Sequence, residues 1–361
     1  MSPSGLSIGR EALFLRNRAR RASPECKPVA GDVCRNLAQA GRRLAFLLGA
    51  VGVAALPRLA IAEEGGSGHY LPGSIASFVD GVPPTETVLV RFNGLGYIGS
   101  TSATQRLPFA GVAVVAPKAD VWGAGLTVLW RPPVEPGGRW SYAMSATIPF
   151  VASDVSASVN ATFVNAGSGS IARSSTTYGL GDIVLMPLML NYKLSPDLNA
   201  SFRAAFYAPT GDYEVGRLSN TGKNFWTVEP TLGLVYLSQK NGLEVSVYIG
   251  SDFNTENSTT HYTSGTQFHV DGTLAQHFPW LDGLCGVGIS AYDYQQVTGD
   301  TGTGVNFGSF KAKTTGLGPV FSYVGKIGTQ DTLWEFKWLH EVQAQNRLQG
   351  DILWLKAVYK F

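Results

Sequence analysis

The chain has 361 residues, of which 44% are apolar, 15% are charged and 43 are glycine, with a formal net charge of +2. So few charges, against about 25% in ordinary soluble domains, exclude a typical cytosolic enzyme, and so much apolar content excludes a disordered chain. The glycines show no three-residue period, which excludes collagen, and after residue 60 no apolar run reaches the ~18 residues that a membrane-crossing helix needs.

Residues 1–62 read as an export leader. They hold ten Lys and Arg but only three acids, Glu11, Glu25 and Asp32. Arg42 and Arg43 precede LAFLLGAVGVAAL (44–56), an uncharged apolar run of 13 that Pro57 breaks, and Ala60-Ile61-Ala62 follows. A basic stretch, a short apolar run and small residues before a cut predict a secretory signal removed near Ala62. As a helix the run spans about 20 Å, short of the ~30 Å hydrocarbon core. Without residues 1–62, 18 Lys and Arg face 23 Asp and Glu, and Cys285 is the one cysteine left. The predicted mature chain is therefore mildly acidic and without an internal disulfide, and the basic leader gives no ground for a nucleic-acid partner. No Cys/His cluster has ligand spacing, and neither a metal nor a cofactor is expected.

Residues 63–84 precede the first predicted strand. Tyr70, Ile75, Phe78 and Val79 give this segment enough apolar character to dock, and it is expected to enter the mouth or lumen of the fold from the periplasmic side as a plug. From residue 85 to 361 the pattern is β. Leu243, Val245, Val247 and Ile249 alternate with Glu244, Ser246, Tyr248 and Gly250. Phe202, Ala204 and Phe206 alternate with Arg203 and Ala205, and Trp334, Phe336 and Trp338 with Glu335 and Lys337. A strand turns successive side chains to opposite faces, so each segment carries one apolar and one mixed face.

The predicted connections alternate in kind. Short ones lie near 131–139, 194–198, 238–242, 279–283 and 326–331; mostly longer ones, rich in Gly, Ser, Thr and Asn, lie at 99–106, 165–177, 212–223, 253–264, 298–304 and 345–350. Short turns at one end and longer loops at the other predict an all-β, transmembrane, antiparallel up-and-down barrel of about twelve strands, within a range of ~12–14. A soluble sandwich would turn its apolar faces inward; here isolated charges fall on the faces opposite the aromatic and aliphatic ones. Trp140, Trp226, Trp280, Tyr192, Tyr323 and Tyr359 fall near strand ends, where interface girdles belong.

The end of the chain, ILWLKAVYKF, places Tyr359 and a terminal Phe361 in a pattern that resembles the signal read by the barrel-assembly machinery of outer membranes. HYLPGSIASFVDGVPP (69–84), YGLGDIVLMPLML (178–190), APTGDYEVGRLSNTGKNFWTVEP (208–230), FNTENSTTHYTSGTQFHVD (253–271) and YQQVTGDTGTG (294–304) resemble the meta-pathway phenol-degradation proteins, some labelled SphA-like. The resemblance runs over nearly all of 69–361. It implies an outer-membrane transporter, with outer-membrane lipid, the assembly machinery and a small hydrophobic or aromatic solute as partners.

Strand parity turns Arg203, Glu229, Glu244, Asp252, His269, Asp271, Glu335 and Lys337 inward. One reading makes them a charge-lined constriction that selects solutes; the other pairs them across strands to rigidify the barrel. His269 and Asp271, two apart on one strand, could orient a general base toward Ser251 or Ser264. No GxSxG turn supports this, and no enzymatic activity is expected. GxxxxTGKN (216–224) is not a phosphate loop, since Asn follows Lys223 and no helix follows. The expected function is passive uptake of small hydrophobic or aromatic compounds across the cell outer membrane. The alternatives are a structural or surface-binding barrel without transport and, less favoured, a barrel-embedded hydrolase.

Overall fold

A computed structural model describes residues 67–102, 106–133, 137–163, 167–305, 311–328 and 330–360. The leader expected over 1–62 and the terminal Phe361 lie outside them. The strands are β1 Thr87–Ser100, β2 Arg106–Phe109, β3 Val112–Arg131, β4 Trp140–Phe163, β5 Gly167–Leu180, β6 Ile183–Lys193 and β7 Leu198–Ala208. They continue with β8 Thr227–Leu237, β9 Leu243–Asn254, β10 Gln267–Trp280, β11 Gly283–Gln296, β12 Lys313–Ile327, β13 Gln330–Gln345 and β14 Gln349–Lys360.

Twelve of these form a closed antiparallel ring: β1, β3, β4 and then β6 through β14, each paired with the next. The first strand closes on the last, from Leu89 opposite Lys360 to Ser100 opposite Gln349. Closure leaves no open edge, so every ladder amide and carbonyl has a partner without water, the condition for crossing lipid. The outer face is correspondingly apolar. On β9 Val245, Val247 and Ile249 are exposed, while Glu244, Ser246 and Tyr248 between them are buried. Exposed Phe92, Leu126, Phe150, Leu232, Leu274, Ile289 and Phe336 continue this face around the ring. Trp140, Trp226 and Trp280 are exposed at or beside strand ends, and the Trp140 and Tyr192 rings meet at 4.8 Å.

Two strands lie outside the ring. β2 pairs only with β3, and β5 only with β4. β6 and β5 follow one another along the same edge of β4, Thr147 facing Val184 and Phe150 facing Leu180, with Gly181 and Asp182 between. The stretch 165–177, expected as a loop, is thus largely strand β5, and part of the expected 99–106 loop belongs to β2. Both corrections have one cause. β3 and β4 run on past the ring, and their surplus backbone groups recruit neighbouring chain: Ser- and Thr-rich β5, which carries no apolar alternation, and the four residues of β2, too short to announce a strand.

The interior holds chain as well as side chains. Residues 67–86 run inside the ring along its length. Ser67 meets Lys223, in the long β7–β8 connection, at 2.7 Å, and Pro83 meets Arg131, at the short-turn end, at 2.6 Å. The segment has one short 3-10 turn, Phe78–Asp80, and is otherwise irregular. Its backbone groups must therefore find side-chain partners on the barrel wall.

Candidate functional site

The inner segment is held by inward-facing side chains of the strands. His69 lies 2.9 Å from Asp182 and 2.6 Å from the Thr227 hydroxyl. Tyr70 donates its hydroxyl to Asp271 and stacks on the His269 ring at 3.7 Å. The Gly73 N–H donates to Asp271 at 2.9 Å, and its carbonyl accepts from Lys337 at 3.2 Å. Trp354 donates to the Pro72 carbonyl at 2.9 Å. Gly73 has φ +78°, and a Cβ there would fall 2.4 Å from Leu339 Cδ1, so both conformation and space demand glycine.

Nearer the short-turn end the holding groups are charged. Ser77 donates to Glu335, the Phe78 N–H donates to Glu244 at 2.7 Å, and Arg203 donates to the Asp80 carbonyl. Asp80 is the hub: Lys356 approaches its oxygens at 2.7 and 2.9 Å and Arg91 at 3.1 Å. Lys356 also lies 3.2 Å from Glu335, which Lys337 meets at 3.0 Å. Burial works against ionisation of Asp80, but the Lys356 and Lys337 ammonium groups and the Arg91 guanidinium outweigh it. They hold its carboxyl well below the usual carboxylate range.

All eight residues singled out by strand parity are buried and inward. Arg203, Glu244, His269, Asp271, Glu335 and Lys337 touch the inner segment. Glu229 instead accepts from Tyr207 at 2.5 Å and Thr231 at 3.0 Å. His269 and Asp271 do pair, at 3.0 Å. Ser251 opposes the outward Phe268 and so does not share their face. In the β7–β8 connection, Asp212 and Glu214 are engaged by Arg217 at 2.6 and 3.6 Å. Sequence reasoning did not single out Asp80 or Lys356, and it read Tyr70 only as apolar docking surface, not as the hydroxyl that meets Asp271. Lys356 was findable, since it alternates with outward Leu355 and Ala357; Asp80 stands in chain with no periodicity, where parity says nothing.

Apart from Arg91 on β1 and Arg131 on β3, the charged contacts from the strands are gathered on β7, β9, β10, β13 and β14, and the opposite wall is different. Between the inner segment and β1, β3, β4 and β6 lies a cavity of about 380 Å³. Leu95, Val121, Val151 and Met186 line it from the strands, Leu71 and Ile75 from the inner segment, and Leu218 from the β7–β8 connection. Polar groups also border it, among them His69, Arg91, Asp182, Arg217, Lys223 and Arg347. Gly123, Ala124 and Gly125 keep the β3 wall thin.

A family model described as "Putative MetA-pathway of phenol degradation" matches residues 104–357. Among solved structures, the chain is similar to an outer membrane channel from Pseudomonas putida F1, with 16% identity and a TM-score of 0.58 over 81% of this chain and 100% of that one. It also aligns with a FadL homologue from Pseudomonas aeruginosa, with 9% identity and a TM-score of 0.37 over 77% of this chain and 89% of the other. No curated protein sequence matches significantly.

Proposed function

This chain belongs to that phenol-degradation family, and from this premise we propose that it is an outer-membrane channel for passive entry of small hydrophobic or aromatic molecules. The observation that carries the reading is the asymmetry of the interior. The inner segment, acting as a plug, is bound by charges mostly on one side, and the free space lies on the other side against a mostly apolar wall. An apolar cavity of about 150 Å³ admits benzene, so about 380 Å³ accommodates one- or two-ring solutes. A sugar of like size would turn some of its hydroxyls against the apolar part of the wall, at a cost of roughly 1–3 kcal/mol for each one left unpaired. Entry runs down a gradient. Arg203, Glu244, His269, Asp271, Glu335 and Lys337 act mainly by seating the plug and so set the bore, with Glu229 and Asp252 buried in the wall beside them. The leader is removed near Ala62, and Tyr359 with Phe361 presents the end of β14 to the assembly machinery.

The test is solute entry into proteoliposomes. Phenol- or toluene-sized aromatics are expected to enter faster than into protein-free vesicles, and a disaccharide is not. Met186→Lys, which puts a charge into the apolar wall, should slow aromatic entry about tenfold. Equal entry with and without the folded barrel defeats the reading.

A further inference from the structure

Three inward side chains on neighbouring strands converge beside the inner segment. Ligand atoms of Glu229 on β8, Asp252 on β9 and His269 on β10 all lie within 4.8 Å of one another. Each residue is at most 1% exposed. The imidazole is fixed from behind: Nδ1 lies 3.0 Å from Asp271 Oδ2, and Asp271 is itself held by the Tyr70 hydroxyl and the Gly73 N–H. With Nδ1–H donating to Asp271, the Nε2 lone pair is left pointing at the two other carboxylates. Nε2 makes no hydrogen bond; Glu229 Oε1 stands off at 3.5 Å. The barrel wall makes room for this ring. Gly250 is the register partner of His269, and a Cβ at Gly250 would fall 2.3 Å from Nε2.

We propose that Glu229, Asp252 and His269 bind a divalent metal ion of the Zn²⁺ type. Two carboxylates neutralise a dication and a neutral imidazole adds a third ligand, so the occupied site has no net charge to bury. One nitrogen and oxygen donors form a set that Zn²⁺ accepts. Tetrahedral Zn²⁺ at ~2.1 Å from each ligand sets ligand atoms about 3.3–3.5 Å apart, which the Nε2 to Oε1 separation of 3.5 Å already meets. The carboxylate behind the histidine is the outer partner that fixes a ligating tautomer. Tyr207 and Thr231 orient Glu229 in the same way. Sequence spacing could not show the site, because its ligands come from three strands. Since Tyr70 stacks on the His269 ring, the ion would also stiffen the seat of the inner segment.

The test uses full-length protein extracted from membranes in detergent, stripped with chelator, then given Zn²⁺ or Mg²⁺ and desalted. One Zn²⁺ per chain is expected, with no retained Mg²⁺ and a higher temperature for the loss of the folded gel mobility. Zn-edge X-ray absorption on the unaltered protein should report one imidazole and otherwise oxygen ligands. Asp252→Asn, His269→Gln and Gly250→Ala should each weaken binding at least tenfold, and exposed His261→Gln should not. A folded barrel that retains no Zn²⁺ overturns the proposal. So does a spectrum with sulfur or several imidazoles, or full binding by folded Asp252→Asn. If the variants fail to fold, the absorption spectrum decides alone. None of these readouts depends on transport.

Discussion

Asp80 shows how much one side chain can hold. It gathers Lys356 and Arg91 and also accepts from the N–H groups of Ala76 and Ser77 at 3.0 and 3.3 Å. Replacing it by alanine leaves Lys356 and Lys337 buried with Glu335 as their shared acid, and stranding buried charge costs about 3–5 kcal/mol. Asp80→Ala should therefore release the lower part of the inner segment and raise single-channel conductance severalfold in planar bilayers. Conductance and protease resistance equal to the parent would refute this. The pH dependence follows from the sign of the shift. A carboxyl depressed below its free value contributes fully above that value and loses the contribution only as pH falls through the depressed one. Conductance should then stay flat from about pH 8 to about pH 4.5, an interval above the free carboxylate range. A rise between those limits that persists in His69→Gln, which removes the histidine seating the same segment, would contradict the Asp80 anchor. At this scale strand parity was enough to turn all eight inward residues the right way. It could not supply their partners, because those lie on an irregular segment whose backbone direction only packing sets.

Among the elements, the β7–β8 connection, 209–226, carries the most specific consequence. It lies over the outer side of the cavity, tied to β5 by Thr177 and Ser219, whose hydroxyls are 2.6 Å apart. Ser219 also donates to the Ser153 carbonyl at 3.0 Å, and Asp182 accepts from Gly211 and Lys223 N–H groups at 2.9 and 2.7 Å. Its two arms touch at Gly211 and Gly222, where a Cβ on either would lie 2.6 Å from the other's backbone. If solutes pass under this connection, it must yield. A disulfide made by Thr177→Cys with Ser219→Cys should slow aromatic entry in proteoliposomes, and a reductant should restore it. Equal rates in oxidised and reduced samples would show that the connection does not gate entry. The alternation of short and long connections was readable from Gly, Asn and Pro placement. That 165–177 is largely strand was not, since β5 is stabilised by pairing with surplus β4 and carries no pattern of its own.

At the scale of the molecule, the ring and its filling are separable. The ladder from β1 around to β14 closes on backbone pairing alone, so deleting 67–84 should leave a folded, heat-modifiable barrel. Its conductance should be larger and steadier than the parent's; an unchanged value would mean that the segment does not obstruct the pore. The sequence by itself determined the class of structure. Period-2 alternation with apolar residues on one face, low charge and two kinds of turn leave a closed barrel in lipid as the state that pairs every backbone group. Alternation is local, and it survives in the chain whatever lies across the ring. What only the tertiary structure decided is which inward groups meet. Asp80 joins Lys356 from 276 residues away, Tyr70 joins Asp271 from 201 away, and the acids and histidine of β8, β9 and β10 face one point. The physical reason is that such contacts depend on ring closure and on the path of an aperiodic inner segment, and no repeat along the chain encodes either.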